Sequence, residues 1–208
     1  MIDSGLFTRF ELEAGRDAEF EALLQAELPR VAAERATPAW FGVRFGRGQY
    51  GIFDVFANEA SRAVHLAGPV GQSMLSEGGK MLAAPTHVER FDVIAWKLPP
   101  GVQGEAVTKG LLLTFEAKAG QEREVESFLR DAKSIVEEEP KTAAWFAIRL
   151  RDGKYGIFDV FHGNAGRFAH LAGRVPRELA AHALSLLGSV PDLELLDVTT
   201  AKLEAAPA

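Results

Sequence analysis

The hydrophobic and polar positions of the chain change their period in a fixed order. A short apolar segment from Leu6 to Leu12 has the length of a strand and ends at Ala14-Gly15. Apolar residues at helical spacing follow it, three and four positions apart, with glutamates on much of the opposite face. These apolar positions are Phe20, Leu23, Leu24, Leu28 and Val31. The pattern predicts one strand followed by one amphipathic helix.

Two more strands and a second helical region are predicted after this helix. The strands cover residues 40 to 45 and 50 to 56, and the turn sequence Gly46-Arg47-Gly48 separates them. The helical region starts near Asn58, reaches Gly68 and resumes around Met74. A last strand is expected from about His87 to Lys97. The order βαββαβ is that of a ferredoxin-like module.

The same pattern recurs 105 residues later, since Trp145-Phe146 repeats Trp40-Phe41. The segment from Tyr50 to Phe56 also returns unchanged from Tyr155 to Phe161. The second copy has a first strand at Leu111 to Ala117, a helical stripe at Val125, Phe128, Leu129, Ala132 and Val136, a turn at Asp152-Gly153, a helical region from Asn164 through Gly173 to around Leu179, and a last strand from about Leu193 to Lys202. We predict two modules, residues 1–98 and 110–203, joined by a Pro/Gly-containing linker at 99–109.

The helices of each module cover only one face of its predicted sheet. The opposite face is apolar as well, rich in Val, Ile and Phe, and it also has to be covered. Two such sheets can cover each other, so we predict an α+β fold in which the modules pack sheet to sheet as an intramolecular pseudo-dimeric α/β barrel. A strand edge at the surface would leave a homodimer of this pseudo-dimer open.

The net charge and the absence of cysteine indicate which partners and which cellular compartment to expect. Lys+Arg 23 against Asp+Glu 29 gives a net charge of -6, which disfavours nucleic acid and anionic membranes as partners. The chain contains no cysteine, which excludes disulfides, thiolate metal sites and a Cys nucleophile, and fits a reducing compartment. There is no signal-like apolar segment at the start and no apolar run of membrane-spanning length. We therefore expect a cytoplasmic protein.

Common motifs for metals and hydrolysis are missing. The five histidines show no HxxxH or HExxH spacing, so no metal site is predicted. A Gly-rich phosphate loop and a GxSxG nucleophile turn are also absent from the sequence. With no thiolate and no histidine cluster, any oxygen chemistry has to rest on electrons from the substrate and on His, Asp and Trp side chains.

The segment from Phe53 to Leu66 resembles the strand-to-helix signature of the antibiotic biosynthesis monooxygenase (ABM) family. It begins Phe-Asp-Val-Phe, continues with polar residues and ends in a helical segment that carries a histidine, and the segment from Phe158 to Leu171 repeats it. The resemblance covers both modules. It implies a dimeric α+β barrel, made here within one chain, with a pocket between sheet and helices in each half.

The resemblance also implies a reaction. Some members of the family oxidise aromatic polyketides without metal or flavin, because the substrate, as an enolate or phenolate, supplies the electrons to dioxygen. The hypothesis is therefore a cofactor-independent monooxygenase for a small aromatic or quinol-like molecule. The candidate residues are His65 and His170 as bases, Asp54 and Asp159 as orienting acids, Trp40 and Trp145 as pocket walls or indole donors, and Arg62 and Arg167, which share a helix face with the histidines.

Each candidate also has a structural interpretation. A His near a helix end can cap the last carbonyls, a Trp at a strand start usually packs in the core, and a buried Asp54 needs a donor such as Arg44, His65 or a backbone N–H. These interpretations would describe a non-catalytic small-ligand-binding or interaction protein.

Two further expectations concern the second helical region. One is a second alternative that the family resemblance implies, a haem-binding or haem-degrading relative, for which His182 is the available ligand. The other is a looser pocket wall in the first half, because residues 71–80 form helix less readily than residues 177–184. The sequence leaves open whether one pocket or both are functional.

Overall fold

The computed structural model describes residues 1–102 and 104–204, and its elements occur in the same order in both halves. The first half contains β1 (Ser4–Glu11), α1 (Asp17–Ala33), β2 (Ala39–Gly46), β3 (Gln49–Phe56), α2 (Glu59–Ala67), α3 (Pro69–Ser76) and β4 (His87–Lys97). The second half contains β5 (Lys109–Glu116), α4 (Glu122–Glu137), β6 (Thr142–Arg149), β7 (Lys154–Phe161), α5 (Asn164–Leu171), α6 (Arg174–Leu186) and β8 (Asp192–Leu203). Short 3₁₀ helices cover Gly78–Met81 and Gly104–Ala106.

The strands form one closed antiparallel barrel in the order β1-β3-β2-β8-β5-β7-β6-β4. The predicted pseudo-dimeric α/β barrel is therefore confirmed, but the halves do more than pack sheet to sheet. Strand β2 pairs with β8 and β4 pairs with β6, so backbone hydrogen bonds join the two halves. Each of these eight strands has two neighbours, so the described barrel has no free strand edge for a second chain to pair with.

The last strand of each half is long enough to serve both halves. The first part of β4, from His87 to Asp92, pairs with β1 of its own half. Its second part, from Asp92 to Lys97, pairs with β6 of the other half. Strand β8 repeats this with β5 and β2. The final residues of β4 and β8 therefore lie beside the helices of the opposite half.

Both faces of the hairpin strands β2, β3, β6 and β7 are largely buried, which explains why apolar residues run almost continuously along them. In β3, Phe53 and Val55 point into the barrel interior, while Tyr50 and Ile52 pack under the helices. The alternation of side chains along a strand puts Asp54 on the helix side together with Tyr50 and Ile52. The structure thus has one core inside the barrel and one under each pair of helical layers.

The helical region after each hairpin divides into two helices at a glycine. Helix α3 begins at Pro69, directly after Gly68, and α6 begins at Arg174, directly after Gly173, so both start earlier than predicted. Asn58 caps α2, since its side chain accepts a hydrogen bond of 2.9 Å from the Ser61 N–H. None of the described helices is long and apolar enough to cross a membrane.

Candidate functional site

The hairpins place an acid and a tryptophan side by side in each half. Trp40 on β2 pairs directly with Asp54 on β3, and Trp145 on β6 pairs with Asp159 on β7. Directly paired residues share one face of a sheet, and here that face lies under the helices. The register that the sequence left open is therefore the one that brings the acid and the indole together.

A histidine from the following helix completes each site between two carboxylates. Nε2 of His65 lies 3.3 Å from Oδ2 of Asp54, and Nδ1 lies 2.6 Å from Oε2 of Glu34. In the second half, Nε2 of His170 lies 3.5 Å from Oδ2 of Asp159, and Nδ1 lies 2.6 Å from Oε2 of Glu139. The structure thus joins the predicted His and Asp into an Asp–His–Glu cluster, and neither His side chain is used to cap its helix.

The glutamate of each cluster was not among the residues that the sequence pattern predicted for the site. Glu34 is the residue that follows α1, and its Oε2 also accepts a hydrogen bond of 2.8 Å from the Thr37 hydroxyl. Glu139 and Thr142 repeat this contact at 2.8 Å. A usable signal was present, because both residues recur at the 105-residue shift. Among several repeated acids, however, nothing local marks Glu34 as the partner of a histidine 31 positions away.

Burial and pairing set the protonation of the clusters in a definite order. Burial raises the pKa of Asp159 to about 6, and it also raises the pKa of Asp54 despite the opposing effect of His65. Burial alone would lower the pKa of His65, but the hydrogen bonds and charges of its two acids outweigh burial and raise it to about 10.

The pKa of His170 is also raised, because Asp159 and Glu139 outweigh the effect of its burial. The histidines lower the pKa of Glu34 and Glu139, more than offsetting the upward effect of burial. Each cluster therefore consists of an ionised glutamate, a cationic imidazole and an aspartate that holds a proton more readily than usual.

The two arginines proposed for substrate binding contact backbone atoms. Nη1 of Arg62 donates to the Gly5 carbonyl at 3.0 Å and to the Phe91 carbonyl at 3.3 Å. Arg167 makes the equivalent bonds to Gly110 at 3.4 Å and Leu196 at 3.0 Å. These contacts fix the second helix of each half onto the strands, and the structure does not bring either guanidinium to the cavities beside the histidines.

The second half has a large apolar cavity beside its cluster. The cavity has a volume of about 360 Å³ and lies between β5, β7, α5 and α6. Among the residues that the structure describes, Asp159 and His170 are its only ionisable lining groups. The other walls are Leu111, Leu113, Ile157, Leu171, Val175, Pro176, Leu179, Ala180, Ala183, Leu187, Pro191 and Leu193. Binding sites for small molecules usually have volumes from about 300 Å³ upward, so this cavity is large enough for one.

The equivalent cavity of the first half measures only about 100 Å³. Met74 and Leu75 occupy the positions of Leu179 and Ala180, and Trp40 also lines this smaller space. Gly71 stands where the second half has Pro176, and a β-carbon at Gly71 would lie 2.3 Å from the Leu66 carbonyl oxygen. Helix α3 therefore approaches α2 more closely than any residue with a side chain would permit.

The expected looser wall is found only in part. The helix is indeed shorter in the first half, with 8 residues in α3 against 13 in α6. Its cavity is nevertheless the smaller one, because close helix approach and longer side chains reduce the space.

A second, more polar cavity borders the cluster of the second half from the outside. It has a volume of about 360 Å³, and both His170 and Glu139 line it, together with Arg174, Arg177 and Lys141. His170 thus separates an apolar interior cavity, where Asp159 lies, from an outer groove where Glu139 is partly exposed.

The remaining sequence candidates lie apart from these cavities or within the core. Trp145 is fully buried and is not part of the large cavity's lining. His182, which the haem hypothesis requires as a ligand, is exposed on α6, and its Nδ1 lies 2.9 Å from the Glu178 carbonyl rather than in the cavity. Across residues 1–102 and 104–204, no group of three or more His, Asp or Glu side chains is arranged to hold a metal ion.

The similarity of this chain to known proteins lies in its fold. No protein-family model and no curated protein matches the sequence. A solved structure named "putative monooxygenase" from Fusobacterium nucleatum matches with a TM-score of 0.87 and 10% identity, covering 99% of this chain and 96% of that one. An anthrone oxidase-like protein matches with a TM-score of 0.60 and 10% identity, covering 99% and 97% of the two chains.

A third match carries the family name itself. It is a ferredoxin-fold protein from Listeria monocytogenes related to antibiotic biosynthesis monooxygenases, with a TM-score of 0.56, 7% identity and 95% of each chain covered. Structural matches at identities this low show the fold alone. The chain therefore has the α+β barrel fold of the structures related to antibiotic biosynthesis monooxygenases, formed here by two copies of the module in tandem.

Proposed function

We propose that the protein is a cofactor-independent monooxygenase that oxidises a small aromatic or quinol-like molecule in the cavity of its second half. The observation that carries the proposal is the position of Asp159. Its Oδ1 atom is buried and has no hydrogen-bond partner among the described residues. Asp159 brings a carboxylate to a cavity whose walls, apart from His170, are apolar. A buried acceptor without a partner is costly, and an acidic O–H or C–H of a ligand would supply the missing contact.

The contacts favour Asp159 over His170 as the base. Both ring nitrogens of His170 already face carboxylates, at 2.6 Å and 3.5 Å, so its ring has no lone pair available for a substrate. Asp159 has one oxygen near His170 and one that is free. This assignment exchanges the roles that the sequence suggested: the aspartate accepts the proton and the histidine orients and stabilises it.

The proposed reaction balances with dioxygen alone as the oxidant. Asp159 accepts a proton from an activated CH₂ group of an anthrone-like substrate, and the carbanion passes one electron to dioxygen. Combination of the two radicals forms a C–O bond, and the proton returns from Asp159 to give a hydroperoxide. Removal of the second C–H proton then breaks the O–O bond and releases water, so CH₂ and O₂ become C=O and H₂O.

The apolar walls support this chemistry. Carbanion and superoxide character would develop beside leucine, proline and alanine side chains, which make the surroundings of the reacting atoms less polar than water. The cationic His170 lies next to Asp159 and stabilises negative charge in the cluster. The name of the anthrone oxidase-like match suggests a suitable substrate class.

The test is oxygen uptake with anthrones and hydroxynaphthalenes. We expect protein-dependent consumption that falls by about a hundredfold or more in Asp159→Asn, as is typical for loss of a catalytic base. Because Asp159 has to be ionised, kcat/KM should fall about tenfold per pH unit below its pKa of about 6 and level off above it.

Two comparison variants locate the reaction. Asp54→Asn makes the same change beside the 100 Å³ cavity, and we expect it to retain most of the activity. Ala180→Leu introduces the residue found in the first half and should block the larger cavity. The monooxygenase proposal is wrong if the compounds bind to the wild-type protein but none of them gives protein-dependent oxygen uptake at any pH tested. In that case the protein is better described as a ligand-binding protein.

A further inference from the structure

Each half contributes one lysine to the helix layer of the other half. Lys97 is the last residue of β4, in the part of that strand that pairs with β6, and its direct partner there is Trp145. Since Trp145 in turn pairs with Asp159, the three residues form a row across adjacent strands on the helix side of the barrel. Lys202, Trp40 and Asp54 form the same row in the first half.

The lysine ammonium groups bind the carbonyl end of the helix that leads into the cluster. Nζ of Lys97 donates to the carbonyls of Val136 at 2.9 Å and Glu139 at 2.6 Å. Nζ of Lys202 donates to the carbonyls of Val31 at 2.9 Å and Glu34 at 2.7 Å. Carbonyls at a helix C-terminus lack partners within the helix and carry partial negative charge, so a buried ammonium is a favourable partner for them.

The contacts of Lys97 hold Glu139, the residue that orients His170. The Glu139 backbone is held by a lysine of the first half, while its side chain lies 2.6 Å from His170 of the second half. The cluster side chains come from three elements of the second half, namely Glu139 after α4, His170 on α5 and Asp159 on β7, and the lysine comes from the first half. When all four groups are ionised, the two negative charges of Asp159 and Glu139 balance the two positive charges of His170 and Lys97. Removal of Lys97 therefore leaves one excess negative charge.

We infer that Lys97 and Lys202 are positioning residues through which each half completes and tunes the Asp–His–Glu cluster of the other half. A single module therefore lacks one part of its own site. The inference concerns the geometry and charge of the clusters, so it can be tested without turnover and it holds or fails separately from the monooxygenase proposal.

Removal of a positive charge should strengthen proton binding by the nearby cluster. The charge of Lys97 lowers the pKa of Asp159, His170 and Glu139, and that of Lys202 lowers the pKa of Glu34. Other acids also face the lysines: Glu137 acts on Lys97, and Glu204 lies 3.4 Å from Lys202. Substitution of Lys97 should therefore shift the titration of His170 upward. Substitution of Lys202, which occupies the equivalent place in the row with Trp40 and Asp54, should do the same to His65.

The experiment is an NMR titration of the imidazole signals in the full chain, assigned with His65→Gln and His170→Gln. Lys97→Met should shift the His170 midpoint to higher pH and leave His65 unchanged, and Lys202→Met should do the reverse. Lys97→Arg should keep the wild-type midpoint, because it restores the charge. Lys97→Gln keeps a donor for the two carbonyls without the charge, so it supplies the same measurement if Lys97→Met does not fold.

The inference is tested by which of the two histidine midpoints shifts in each variant. A shift of only the opposite-half histidine, restored by arginine, supports the inference. Unchanged midpoints in Lys97→Met and Lys97→Gln, or equal shifts of both histidines, would overturn it, since the first outcome removes the electrostatic link and the second indicates a general change in the fold.

Discussion

The rings of Phe53 and Phe158 stack at the centre of the barrel, with centroids 3.9 Å apart and planes inclined by 10°. The two residues occupy the same position in the two copies, so the contact lies where the pseudo-twofold axis passes between the halves. Phe41 and Phe146, another equivalent pair, lie 6.2 Å apart in the same interior. The halves are thus held together by a shared aromatic core as well as by strand pairing.

Removal of one ring from this stack should be costly. Phe158 is fully buried, so Phe158→Ala is expected to lower the free energy of unfolding by about 3–5 kcal/mol, measured by urea denaturation. Phe168→Ala is a matched control, because its ring is 60% exposed on α5 and its loss should change stability by less than about 0.5 kcal/mol. Equal effects of the two substitutions would contradict a stabilising central stack.

The raised pKa of His65 should make stability depend on pH. The folded-state pKa is about 10 and the ordinary value is 6.5, so the native state holds this proton more tightly than the unfolded chain. The contribution is fully present below pH 6.5 and is lost as pH rises toward 10. Urea unfolding should show a smaller free-energy loss over this range in His65→Gln than in the wild type. Parallel pH profiles for the two proteins would show that His65 does not couple protonation to folding.

Gly71 is expected to be required by the close contact of α3 with α2. A β-carbon there would lie 2.3 Å from a backbone oxygen, so Gly71→Ala forces the helices apart and should destabilise the protein by about 1–3 kcal/mol. A β-carbon at Gly79 meets no atom within 4 Å, and Gly79→Ala should be nearly neutral. Thermal unfolding of the two variants provides the measurement, and a stable Gly71→Ala protein would refute the steric argument.

Residues 1–98 alone should form a homodimer. In that fragment β2 and the end of β4 lose their partners β8 and β6, which are the equivalents of β4 and β2 in the other copy. Two fragments can therefore restore both seams with each other, and Lys97 of one can cap α1 of the other. Sedimentation velocity should show a dimer at micromolar concentration. A stable monomeric fragment would mean that the barrel closure is not needed for folding.

The 105-residue repeat and the order of the elements could be predicted from the sequence, and His65 could be named among the possible partners of a buried Asp54. These features depend on local patterns. Helices and strands have different periods of apolar residues, turns need particular residue types, and a duplicated segment repeats its amino-acid sequence. The strand bounds agree with the predicted ones to within a few residues, and the turn at Asp152 and Gly153 adopts the positive φ values of 57° and 72° that such a turn requires.

Only the tertiary structure decided how the halves close and what each site contains. Glu34 reaches His65, and Lys202 reaches the end of α1, through contacts between residues far apart in the chain, which no periodicity encodes. The difference between a 360 Å³ and a 100 Å³ cavity likewise depends on the close approach of α3 to α2 at Gly71 and on the side chains that line each cavity. Local sequence sets which face of an element is apolar, whereas distances between elements follow from the packing of all their side chains together.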